Sequence, residues 1–88
     1  MKVKDTFIVR EIAGNKVVLP VGAQSNTFGG MMTLNETGVF LWNLLGKEIS
    51  LEDLVNAMLS EYNVDAGQAQ EDVGEFVDTL RKAGVLEE

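Results

Sequence analysis

The periodicity of this chain changes once, at Leu34-Asn35, and that change governs what it can fold into. Ahead of it, Thr6-Phe7-Ile8-Val9-Arg10-Glu11-Ile12 and Lys16-Val17-Val18-Leu19 are β-branched runs, the composition of strands. Ala13-Gly14-Asn15 joins them, and because Gly and Asn both accept positive φ, the pair reads as a β-hairpin. Pro20 has no amide to donate to a ladder, and Gly22-Ala23-Gln24-Ser25-Asn26-Thr27 is small and polar, so the second strand should end there. A third strand is expected over Gly30-Met31-Met32-Thr33-Leu34, with Asn35 or Thr33 placed to cap a following helix.

Beyond Asn35 the apolar residues recur at helical spacing. Val39, Phe40, Leu41, Trp42, Leu44 and Leu45 make the first helix apolar almost all round, with Gly46 as its expected stop. Ser50-Leu51-Glu52-Asp53 resembles a capping box, and Leu51, Leu54, Val55, Met58, Leu59 and Tyr62 give the second helix one buried face. Asp65 can cap a third helix, whose stripe is Ala69, Val73, Phe76, Val77 and Leu80, ending at Gly84. Val85 and Leu86 should pack back on the core. The order β-β-β-α-α-α implies an α+β fold, a three-stranded antiparallel sheet with helices on one face, in a single domain spanning residues 1–88.

Composition narrows the chemistry. A chain of 88 residues buries only about 60% of its unfolded surface, which leaves little room for a deep catalytic cavity. There is no cysteine for a disulfide, thiolate zinc site or redox pair, and no histidine, the commonest general base and metal ligand at neutral pH. No stretch of about 18 apolar residues is present to span a membrane, and Met1-Lys2-Val3-Lys4 does not begin a signal peptide, so a cytoplasmic address is expected. Glu71, Asp72, Glu75 and Asp78 lie opposite the third helix's stripe and read as a solvated face, not as a metal or acid-base cluster. Lys47 and Tyr62 sit in no catalytic motif, and the glycines form no phosphate loop. No enzymatic activity, cofactor or metal is expected.

Three helices and a small sheet also fit a winged helix-turn-helix, a shape that often binds DNA. Charge argues against that use here. The net charge is −7, and residues 35–88 hold three cations against twelve anions, which should repel a phosphate backbone. The sheet offers another use. In a three-stranded sheet only the middle strand is paired on both sides, so an edge strand beside a helix can accept an extended peptide as an extra strand. Met31 and Met32 alternate between its two faces, where methionine fills irregular gaps.

Leu34-Asn35-Glu36-Thr37-Gly38, followed by Phe40-Leu41-Trp42, resembles the Leu-Asn-x-Thr-Gly/Ala signature of the PqqD-like family, the coenzyme PQQ synthesis protein D group. Asp72-Val73, Phe76, Leu80, Gly84 and Leu86 are similar to that family's closing pattern, and Ser50-Leu51-Glu52-Asp53-Leu54-Val55 resembles its second-helix opening. The likeness covers roughly residues 6–87. It implies a winged-helix-like, non-catalytic domain that captures the leader of a ribosomally made precursor peptide and presents it to a modifying enzyme, typically a radical S-adenosylmethionine maturase. The leader would add to the strand Gly30, Met31, Met32, Thr33 and Leu34, in a groove walled by Val73, Val77, Leu80 and Arg81. Leu34, Asn35 and Thr37 would fix the strand-to-helix corner. The Gly22-to-Phe28 loop is longer than the tight turn usual in members tied to PQQ itself, which suggests a different precursor. A charged replacement of Val77 is expected to weaken leader binding. Two other uses stay open: pairing of the same edge with a second copy of the chain to form a homodimer, and DNA binding, which the charge disfavours.

Overall fold

A computed structural model describes residues 1–21 and 32–87. Its elements run β1 (Lys2–Val3), β2 (Phe7–Ile12), β3 (Asn15–Pro20), β4 (Met32–Leu34), α1 (Glu36–Leu44), α2 (Leu51–Glu61), α3 (Ala66–Lys82) and β5 (Leu86–Glu87). Strands β2, β3 and β4 form an antiparallel sheet in that order, and three helices follow, as the change of periodicity implies. The short outer strands β1 and β5 make a separate antiparallel pair, Lys2 opposite Glu87 and Val3 opposite Leu86.

The β2–β3 turn is tighter than expected. Ile12 already pairs with Asn15, so the loop is Ala13-Gly14 alone, with φ of 53° and 83°. Two positive φ angles mark the type I′ turn, whose twist matches that of the flanking strands. Asn15 therefore lies in β3, and Ala13 carries a left-handed conformation that strains a Cβ by about 1–2 kcal/mol. We expect Ala13→Asn, which restores the favoured Asn-Gly pair, to raise stability by about 1 kcal/mol and the midpoint of a thermal melt by about 4–8 °C. A midpoint that stays in place or falls would show that the turn is not strained.

Each helix begins on the cap its sequence offers. The Asn35 side chain accepts a hydrogen bond from the Gly38 N–H at 2.8 Å, Ser50 from the Asp53 N–H at 3.1 Å, and Asp65 from the Gln68 N–H at 2.7 Å. Gly84, at φ 75°, closes α3: its N–H bonds the Arg81 carbonyl and the Val85 N–H the Leu80 carbonyl, both at 3.1 Å. That is a Schellman ending, and Leu80 and Val85, the pair whose apolar side chains such an ending brings together, are both fully buried. The reversal aims Leu86 back at β1, where the Lys4 N–H reaches the Val85 carbonyl at 2.8 Å. Gly46 follows α1 without taking a left-handed φ, because Leu45 and Gly46 complete the last turn by bonding to Leu41 and Asn43.

One cluster of buried side chains draws on every element: Val3, Phe7, Val18, Leu34, Leu41 and Leu54 are members, with Val73, Val77, Leu80 and Leu86. Trp42 and Leu45 fill its α1 side. Leu51, expected on the buried face of α2, is instead 45% exposed, while Leu54, Val55 and Met58 are buried. Leu51 is the first residue of α2, and the core closes on the turn after it. Among the described residues no helix is long and apolar enough to cross a membrane.

Candidate functional site

Strand β4 is bonded on one side only. Its register on β3 is Lys16 opposite Leu34, Val17 opposite Thr33 and Val18 opposite Met32, and no strand among the described residues pairs with its other edge. Alternation sends Met32 and Leu34 toward the helices, half-buried and buried, and leaves Thr33 exposed. Gly30 and Met31, the first two residues of the expected peptide-binding strand, lie outside the described residues.

Two adjoining hollows open at the end of this strand and share Asn35, Gly38 and Phe76. One, of about 430 Å³, opens over Asn15, Thr33 and Leu34. The other, of about 360 Å³, continues between the N-terminal part of α1 and the middle of α3, past Thr37, Leu41, Asp72, Glu75 and Thr79. Together they make a trough with a half-buried aromatic ring, Phe76, at its centre. Three interactions stiffen its walls. Asn35 caps α1, the Gln68 amide donates to Asp72 at 2.8 Å, and the Thr79 hydroxyl donates to the Glu75 carbonyl at 2.9 Å. Gly38 keeps the strand-to-helix corner tight: a Cβ there would stand 3.2 Å from the Asn35 side-chain oxygen and 3.4 Å from Leu34 Cβ.

The helical wall differs from the expected one. Val73, Val77 and Leu80 are 0%, 3% and 0% exposed, so they are core side chains with no surface to offer a guest. Arg81 is exposed, but at about 100° per residue it falls on the flank of α3 shared with Ala66 and Gln70, away from Phe76. The side chains of α3 that line the trough are Asp72, Glu75, Phe76 and Thr79. Three- and four-residue spacing puts them on one side of the buried stripe, where an exposed aromatic edge among carboxylates was the available sign. Leu34 is buried and Asn35 caps α1, so both build the corner, and Asn35 also lines the trough beside Thr37.

Among the described residues no group of three or more carboxylates could hold a metal ion, and the chain has neither cysteine nor histidine. An open strand edge, an apolar floor and polar rims suit an extended peptide.

The family model of coenzyme PQQ synthesis protein D (PqqD) matches residues 15–86. Among solved structures, TbiB1 in complex with the TbiA(beta) leader peptide matches with a TM-score of 0.77 at 29% sequence identity, over 99% of this chain and 95% of that one. A lasso peptide synthetase B1 complexed with the leader peptide matches with a TM-score of 0.73 at 23% identity, over 96% and 93% of the two chains, and shares the fold. Among curated proteins none matches.

Proposed function

The chain belongs to the PqqD family, and on that premise we propose that it is a non-catalytic carrier for the leader of a ribosomally made precursor peptide. The leader adds as a strand to the free edge of β4, lays alternate side chains into the trough over Phe76, and is thereby presented to a modifying enzyme, a radical S-adenosylmethionine maturase in our reading. The whole exchange takes place in the cytoplasm. The observation that carries the proposal is the edge of β4 that no strand among the described residues pairs, lying beside a trough with an aromatic centre. The likeness to a leader-bound TbiB1 over nearly the full length of both chains supports it.

The energetics require both parts. Each main-chain hydrogen bond of an added strand yields about 0.5–1.5 kcal/mol net, while ordering a flexible leader costs about 2–5 kcal/mol. That ordering cost offsets much of what a few backbone bonds return. Apolar anchors supply the remainder, at about 25 cal/mol for each Å² removed from water.

The test is calorimetry and hydrogen exchange with synthetic leaders of any short peptides encoded beside this chain's gene. We expect one leader per chain and slowed exchange of the β4 amides, Met32 to Leu34. Absence of binding, or slowing confined to other elements, would overturn the assignment. A tight dimer in sedimentation that excludes the leader would assign the same edge to self-pairing.

A further inference from the structure

The two hollows of the trough differ in charge. The one over Asn15, Thr33 and Leu34 has no charged residue in its lining, whereas the one that continues along α3 is lined by two carboxylates, Asp72 and Glu75. No lysine or arginine lines either hollow. Nor do the lysines of the neighbouring surface reach in: Lys16 is paired with Glu11 at 2.9 Å, and Lys82 with Asp78 at 3.0 Å. Asp72 and Glu75 therefore meet no cation among the described residues. One of the two is held in place, because the Gln68 amide donates to Asp72 Oδ1 at 2.8 Å.

A guest that fills the second hollow takes water from both carboxylates. With an apolar or neutral side chain there, the two would lose hydration and gain no partner, which is unfavourable for a charged group. An acidic side chain would add repulsion. An ammonium or guanidinium replaces the lost water with charge-assisted hydrogen bonds, and because Asp72 and Glu75 are three residues apart on one helix, a single cation can meet both. Phe76 is one turn from Asp72, about 5–6 Å between Cβ atoms. Side chains on one face of a strand recur every two residues, about 6.6–6.8 Å, so the step from ring to carboxylate matches one such repeat.

We infer that the peptide taken by this trough carries a lysine or arginine two residues from the apolar side chain that covers Phe76, with its cation between Asp72 and Glu75. The inference rests on the reading that a leader adds to β4 as a strand. The strand edge and the ring make the site, and the carboxylates decide which sequences it accepts.

The test is selection of short linear peptides from a random-sequence display library on the immobilised full chain, with the Asp72→Asn, Glu75→Gln double variant selected in parallel. Both replacements keep the side chain's shape, and the asparagine oxygen can still accept from Gln68. We expect the parent to enrich a lysine or arginine two residues from an apolar one, and the double variant to lose that preference while still enriching the apolar residue. A selected peptide, made synthetically, should slow exchange of the β4 amides. Replacing its basic residue by glutamine should weaken binding to the parent about five- to tenfold, less at high salt, and leave binding to the double variant unchanged. Peptides that protect β4 without a basic residue at that spacing, or a glutamine replacement that costs the double variant as much as the parent, would overturn the inference and leave strand addition standing. If no selected peptide protects β4, strand addition itself falls, and the inference with it.

Discussion

Phe76→Ala is expected to weaken leader binding about two- to fivefold while the chain stays folded. Phe76 is shared by both hollows of the trough and is half-buried before any guest arrives, so a docked leader would cover the rest of its ring. Burying a full phenylalanine is worth about 1.5–3 kcal/mol, and the part still uncovered, at most about a third, contributes about 0.5–1 kcal/mol, a change of about two- to fivefold. The truncation also removes packing from the core margin, so the melt should shift downward without losing cooperativity. Calorimetry at a temperature where circular dichroism matches the parent separates these effects. Unchanged affinity in a folded Phe76→Ala chain would place the guest elsewhere, and Phe76→Leu, which keeps an apolar anchor, should recover most of the loss.

Val77→Glu is expected to abolish folding. In sequence terms the substitution looks like a probe of the peptide groove, since Val77 sits on an apolar stripe beside the third helix's acidic face. In the structure its side chain is 3% exposed within the central cluster, between Val73 and Leu80, both at 0%. A carboxylate there has no cation to meet among those buried residues, and an uncompensated buried charge costs about 3–5 kcal/mol on top of the lost apolar packing. Small domains have about 5–15 kcal/mol in total, and one of this length lies toward the lower end. Loss of the cooperative melt at 25 °C is the expected reading. A chain that melts within a few degrees of the parent would show that Val77 reaches solvent and would return it to the groove wall.

The two substitutions, one residue apart in sequence, thus separate docking from folding. An apolar stripe on a helix identifies the residues that avoid water, but not which of them are covered by the core and which are left at its edge. Phe76 belongs to the same stripe as Val73, Val77 and Leu80, yet it lies at the side where α1 and β4 leave a gap. Leu51 is the mirror case on α2: helical spacing counts it as buried, and the turn at which α2 meets the core leaves it outside. Both departures from the sequence expectation fall at the edges of amphipathic faces. The β1–β5 pair was hidden for another reason. Two-residue strands carry too little pattern to be read, and their pairing depends on Gly84 turning the end of α3 back toward Val3.

Local information was enough for the elements and their order. Alternating β-branched runs, three caps at Asn35, Ser50 and Asp65, and apolar spacing after Leu34 determine a three-stranded sheet followed by three helices, because each of these effects acts within a few residues. The signature around Leu34 to Gly38 likewise identifies the family, since it encodes one tight corner of backbone. Which side chains face the open edge of β4 was decided only in three dimensions. Burial is a property of what packs on a residue from elsewhere in the chain, and the distance between a wall residue and a core residue on α3 is a single position, Phe76 against Val77.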